Sequence, residues 1–145
     1  MKKRSTTAKN RRISGAIAVI PHAVMNCDEY VGLSGSALRL LLEMARQYNG
    51  HSNNGDLTAA WSVMRERGFK SEATLQKAVR ELMEKEFIVR TREGQFCNPG
   101  KRCALYALMW ANVDECPGKN LDIAPTKAPM RVFSAKITKR PLQKV

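Results

Sequence analysis

The chain has 145 residues, with 25 Lys and Arg against 13 Asp and Glu, a formal charge of +12, 43% hydrophobic residues and 26% charged residues. Those proportions exclude a globally disordered chain, and the length fits one domain with tails, which argues against a multidomain enzyme. The surplus of cations points to an anionic partner, nucleic acid ahead of a membrane surface.

The charge is unevenly placed. Residues 1–12 form a basic arm with Lys2, Lys3, Arg4, Lys9, Arg11 and Arg12 and no acid. Residues 117–145 form a second basic, Pro-punctuated tail whose single acid is Asp122, whereas residues 13–116 balance their charges. Arms of this kind reach phosphates without needing a fixed fold. Cys27, Cys97, Cys103 and Cys116 lack any CxxC spacing. They are expected to be reduced thiols in a cytoplasmic protein, not a disulfide framework or a zinc site. Pro21 and His22 interrupt the apolar stretch after the first arm, so an export signal is not expected.

In chain order, Ile13 to Ile20 reads as a short strand or an extended lead-in, and His22 to Tyr30 as one short helix. Ser34 is an N-cap candidate, because its hydroxyl can accept from a free N–H of the first turn. The helix that follows, over Ala37 to Tyr48, carries apolar residues on more than one face and is expected to be the central buried one, stopping at Asn49 and Gly50. HSNNG over residues 51–55 is a turn cluster, with a short strand at Asp56 and Leu57. Thr58 is expected to cap a helix running to Arg67 with Ala60, Val63 and Met64 on one face. Gly68 stands where a left-handed residue ends a helix.

Phe69 and Lys70 form a tight link to Ser71, the expected cap of the best-defined helix, with Glu72 in its first turn. Leu75, Ala78, Val79, Leu82 and Met83 repeat at the spacing of one helical face. FIVRT over residues 87–91 and CALYALMW over residues 103–110 read as two strands of a hairpin whose connection is rich in turn formers and cations. Beyond Cys116 the chain reads as a tail that lies on the surface or lacks order.

This order of elements resembles the winged helix-turn-helix family, most nearly the small DNA-binding proteins and replication-initiator domains of phages, plasmids and other mobile elements. The resemblance runs from YNGHSNNGDL through WSVMRERGFKSEATLQKAVRELMEKEFIVRTREG to ALYALMW and covers about residues 34–110. Glu86 departs from the family, which more often has Gly there. The resemblance implies an α+β fold with a three-helix core, a β-hairpin wing and basic tails. It also implies double-stranded DNA as partner, contacted by a transcriptional regulator or a replication accessory factor, with no catalysis and no cofactor.

An α-helix fits the major groove, and its N-terminal half approaches the base edges. With Leu75, Val79 and Leu82 turned inward, the outer face of the candidate reading helix presents Ala73, Lys77, Arg80 and Glu84, flanked by Lys70, Ser71 and Thr74. Lys77 and Arg80 can donate to guanine or phosphate, and Thr74 to phosphate. At the hairpin, Arg90, Arg92, Lys101 and Arg102 are expected to reach phosphate or the minor groove, and the charge of Arg92, Lys101 and Arg102 is expected to be separable from stability. With Lys2, Lys3, Arg4, Arg11 and Arg12 they complete the expected nucleic-acid contacts. Trp61, Tyr48 and Trp110 are expected to anchor the core and not to stack on bases.

His22 and His51 lack a carboxylate or nucleophile at a useful spacing, and no Walker loop, GxGxxG or HExxH occurs, so no catalytic or metal residue is expected. A second reading fits the neutral core: an adaptor or inhibitor whose winged-helix core binds a protein or nucleoprotein complex of replication, recombination or defence. Helix-turn-helix proteins are often dimers, which leaves room for a homodimer, although the sequence has no separate dimerisation segment.

Overall fold

A computed structural model describes residues 13–96 and 101–134. Residues 13–20 form an extended lead-in without a strand, and two single-turn helices follow, α1 (His22–Met25) and α2 (Asp28–Val31). They replace the one helix expected there, the chain leaving helical geometry at Cys27 (φ −80°, ψ 150°). Next come α3 (Gly35–Gln47), β1 (Leu57–Thr58), α4 (Trp61–Met64) with a 3-10 turn at Arg65–Arg67, and α5 (Glu72–Glu84). The described elements close with β2 (Ile88–Arg92), β3 (Gln95–Phe96), β4 (Lys101–Arg102) and β5 (Leu105–Leu108). The fold is α+β: antiparallel β1, β5 and β2 pair in that order, and β3 with β4 continues the hairpin outward.

Both long helices start where a serine caps them. Ser34 Oγ accepts from Ala37 N at 3.2 Å and Ser71 Oγ from Thr74 N at 3.1 Å. α3 buries Ala37, Leu40, Leu41 and Met44 against Leu75, Ala78, Val79 and Leu82 of α5, and Leu57, Ile88, Tyr106 and Leu108 of the sheet join the same core. Only one side of α3 is covered, and Leu42 stays 48% exposed.

α4 differs from its expected extent. Thr58 is held in β1 between Gln47, whose side-chain amide bonds both its N–H (2.8 Å) and its carbonyl (2.9 Å), and the β5 residue Leu105. Thr58 Oγ1 accepts from Ala60 N at 3.1 Å, short of the helix, and α4 begins at Trp61 after Ala60 with no side-chain cap. Val63 is 41% exposed, while Met64 is buried. Gly68 ends the turn at φ 96°, in the left-handed region that favours glycine.

The exit from α5 explains Glu86. Phe87 N donates to Leu82 O at 2.9 Å and Glu86 N to Met83 O at 3.1 Å, the paired bonds of a Schellman close, and Phe87 joins Leu82 in the core. The close requires a left-handed residue at Glu86 (φ 59°), a conformation that glycine adopts more readily. Phe87 thus ends the helix, and the strand begins one residue later.

After Val113 the chain becomes a strap on the domain surface. Asp122 N donates to Thr91 O (2.7 Å) at the bulge between Arg90 and Arg92, and Asp122 Oδ2 accepts from Glu93 N (2.8 Å). Further on, Arg131 donates through Nη1 to Lys85 O (2.7 Å) and Glu86 O (3.1 Å) and pairs with Glu29 at 3.3 Å. Its guanidinium carbon lies 4.1 Å from the Phe133 ring centre and 5.3 Å from that of Phe87. Arg131→Ala should lower stability by about 2 kcal/mol, since it removes charge-assisted bonds to two carbonyls together with a cation–π contact. Urea unfolding measures the loss, and faster amide exchange at Asp122 would show that the strap loosens with it.

Candidate nucleic-acid interface

The outer face of α5 follows from the burial of its inner one. Ala73, Thr74, Lys77, Arg80 and Glu84 are exposed, as are Lys70 and Ser71 just before the helix. Neither Lys77 nor Arg80 enters an ion pair among the described residues. Glu81, one residue beyond Arg80, is instead held by Ser34 N at 2.8 Å. Ser71 Oγ also donates to Thr74 Oγ1 at 2.8 Å.

The hairpin arginines are arranged differently from the expectation. Arg92 donates through Nε and Nη2 to Cys103 O (3.0 and 2.7 Å) and through Nη1 to Lys119 O (2.9 Å). Arg102 donates to Asn120 O and lies 3.8 Å from Asp122. These two cations join the hairpin to the strap, so reversing their charge would undock it. Their charge is therefore not separable from stability.

Arg90 is half-buried over the Tyr106 ring, 3.4 Å from its hydroxyl and 3.2 Å from Glu93. Burial works against its charge, but the Tyr106 and Glu93 contacts prevail and raise its pKa above the ordinary guanidinium value. Its Nε is buried without a partner among the described residues. Lys101 belongs to β4, with its side chain outside the described residues, as are Lys2, Lys3, Arg4, Arg11 and Arg12.

Two hollows border α5. One, of about 530 Å³, lies between α4, α5 and the hairpin, and its lining includes Trp61, Glu72, Gln76, Arg102 and Tyr106. The other, of about 480 Å³, lies between the start of α3 and the Gly68–Ser71 link. It brings in Arg39, a residue that the sequence reading passed over. Glu43 stands four residues from Arg39 and would be its default helical partner, yet Arg67 engages Glu43 at both oxygens (2.9 and 3.2 Å). That bond, reinforced by the carboxylate's charge, pushes the Arg67 guanidinium up in pKa.

Tyr48, Trp61 and Trp110 are partly buried against the core. Cys103 is exposed and Cys116 buried, where burial, helped by the charges of Asp56 and Asp114, pushes the Cys116 thiol up. No helix among the described residues is long and apolar enough to cross a membrane, and none of their His, Cys, Asp and Glu groups forms a metal-ligand cluster. The chain matches no family model, no curated protein and no solved structure.

Proposed function

We propose that this chain is a winged helix-turn-helix protein that binds double-stranded DNA with sequence preference, as a transcriptional regulator or replication accessory factor of a mobile element. The observation that carries the reading is α5 itself: a capped, 13-residue helix, packed on one face and preceded by a short helix and tight turn, with Lys77 and Arg80 on the other face in no ion pair among the described residues. A helix so braced can enter a major groove with those cations toward the bases. The +12 charge supplies the general attraction to duplex.

Selection from a pool of randomised duplexes, followed by salt titration of the enriched sites, tests the proposal. A recurring motif bound more tightly than random duplex is the expected result, and no duplex binding at moderate salt would overturn it. The adaptor reading has its own support in the exposed Ile17 and Val19, which line an apolar hollow of about 410 Å³ with Tyr48 and Trp110. It expects one stoichiometric protein partner in a native pull-down and no discrete genomic footprint.

A further inference from the structure

The hollow between α3 and the Gly68–Ser71 link has the chemistry of an anion site. Its lining consists of Gly35, Ser36, Arg39, Gly68, Phe69, Lys70, Ser71 and Thr74, two cations and three hydroxyls with no carboxylate. Arg39 owes its availability to two local facts. Glu43, its helical neighbour, is engaged by Arg67, and Arg39 has no ion pair among the described residues. Gly68 supplies the seat: a Cβ built there would stand 2.7 Å from Arg39 Nη1, so the guanidinium occupies the space that any side chain would fill.

The place of this hollow on α5 identifies the anion. Successive helical residues are about 100° apart, so Thr74 and Gln76 stand on opposite edges of an exposed arc whose middle is Ala73, Lys77 and Arg80. Thr74 borders the Arg39 hollow, and Gln76 borders the one beside the hairpin. A helix in a major groove has a sugar-phosphate backbone along each edge, with the bases between them. We infer that Arg39, seated on Gly68 and joined by Lys70, holds a backbone phosphodiester of duplex DNA on the edge of α5 away from the hairpin.

This inference rests on the DNA-binding reading, and its test separates the two. Full-length protein, Arg39→Ala and Arg39→Lys are titrated with salt on one enriched duplex and one random duplex. Arg39→Ala should lose about tenfold in affinity for both sequences alike, the scale of one charge-assisted contact, and lower the magnitude of the log–log salt slope by about 0.9. Arg39→Lys should keep the slope while losing part of the affinity, since it retains the charge but not the planar fork. Matching thermal melts establish that both variants are folded.

If wild type binds duplex and Arg39→Ala keeps the full slope, the Arg39 site is refuted and DNA binding stands. If wild type binds no duplex, amide shifts during a dimethyl phosphate titration decide. Saturable shifts confined to Gly68, Phe69 and Lys70, and lost in Arg39→Ala, would keep the phosphodiester site without the DNA function. Equal shifts in both proteins, or none, would remove the site as well.

Discussion

Changing Lys77 and Arg80 together to Ala should abolish most of the discrimination between a selected duplex and a scrambled one while leaving the fold intact. Both side chains are exposed and neither is paired with a carboxylate among the described residues, so unfolding free energy should move by no more than about 0.5 kcal/mol. A base-edge contact is worth about 1 to 3 kcal/mol of discrimination, so the ratio of the two Kd values should fall at least tenfold. A ratio that survives the double change would mean that α5 is not the reading element. An unfolded variant would instead overturn the assignment of inner and outer faces. The effect differs in kind from that of Arg39→Ala, which should weaken every duplex alike.

The largest expected loss of stability lies at Asn54, far from this face. Its side chain is fully buried and its Nδ2 donates to Leu108 O (3.0 Å), Ala111 O (3.2 Å) and Asn112 O (2.9 Å), while Oδ1 accepts from Leu108 N at 2.7 Å. Its backbone is tied as well, with Asn54 N donating to Asp114 Oδ2 and Asp114 N to Asn54 O, both at 2.8 Å. Asn54→Leu keeps the branched outline, with bulkier methyl groups, but leaves a buried N–H and at least one carbonyl unsatisfied. Each such group costs about 1 to 3 kcal/mol, so a total of about 4 kcal/mol is expected. That is a large share of the roughly 5 to 15 kcal/mol that holds a domain folded. Urea unfolding would measure it, and a loss under about 1 kcal/mol would show that water replaces the amide.

Local chemistry was legible in the sequence where one residue acts on its near neighbours. The Ser34 and Ser71 caps, the left-handed Gly68 and the buried Leu75, Ala78, Val79 and Leu82 all appear as expected, because capping and periodicity operate within a turn or two. Partners distant in sequence were not legible. Asn54 reads as one more turn former in HSNNG, yet its bonds reach residues 54 to 58 positions away. Thr58 has the composition of a cap, but its pairing with β5 and the Gln47 amide places it in β1, and the helix starts only at Trp61. At the candidate interface, Lys77 and Arg80 follow from the helical face alone. The engagement of Arg92 and Arg102 by strap carbonyls does not, since nothing in a run of basic residues shows which of them are bound internally.

The strap also has a consequence for the order of events in folding. The contacts of Arg131 with Glu29, Lys85 and Glu86 close loops of 102, 46 and 45 residues, whereas α5 closes on itself turn by turn. Long loops close at a higher entropic cost, and the contacts with Lys85 and Glu86 also require the α5 terminus to exist first. Docking of the strap therefore belongs to the last stage of folding, and its release to the first local opening of the native state. Such an opening would bare Arg92 Nη1 and Arg102 Nη2 while the three-stranded sheet and both long helices remain assembled. The hairpin's cationic character is thus an equilibrium property, set by how often residues 117–134 lift away.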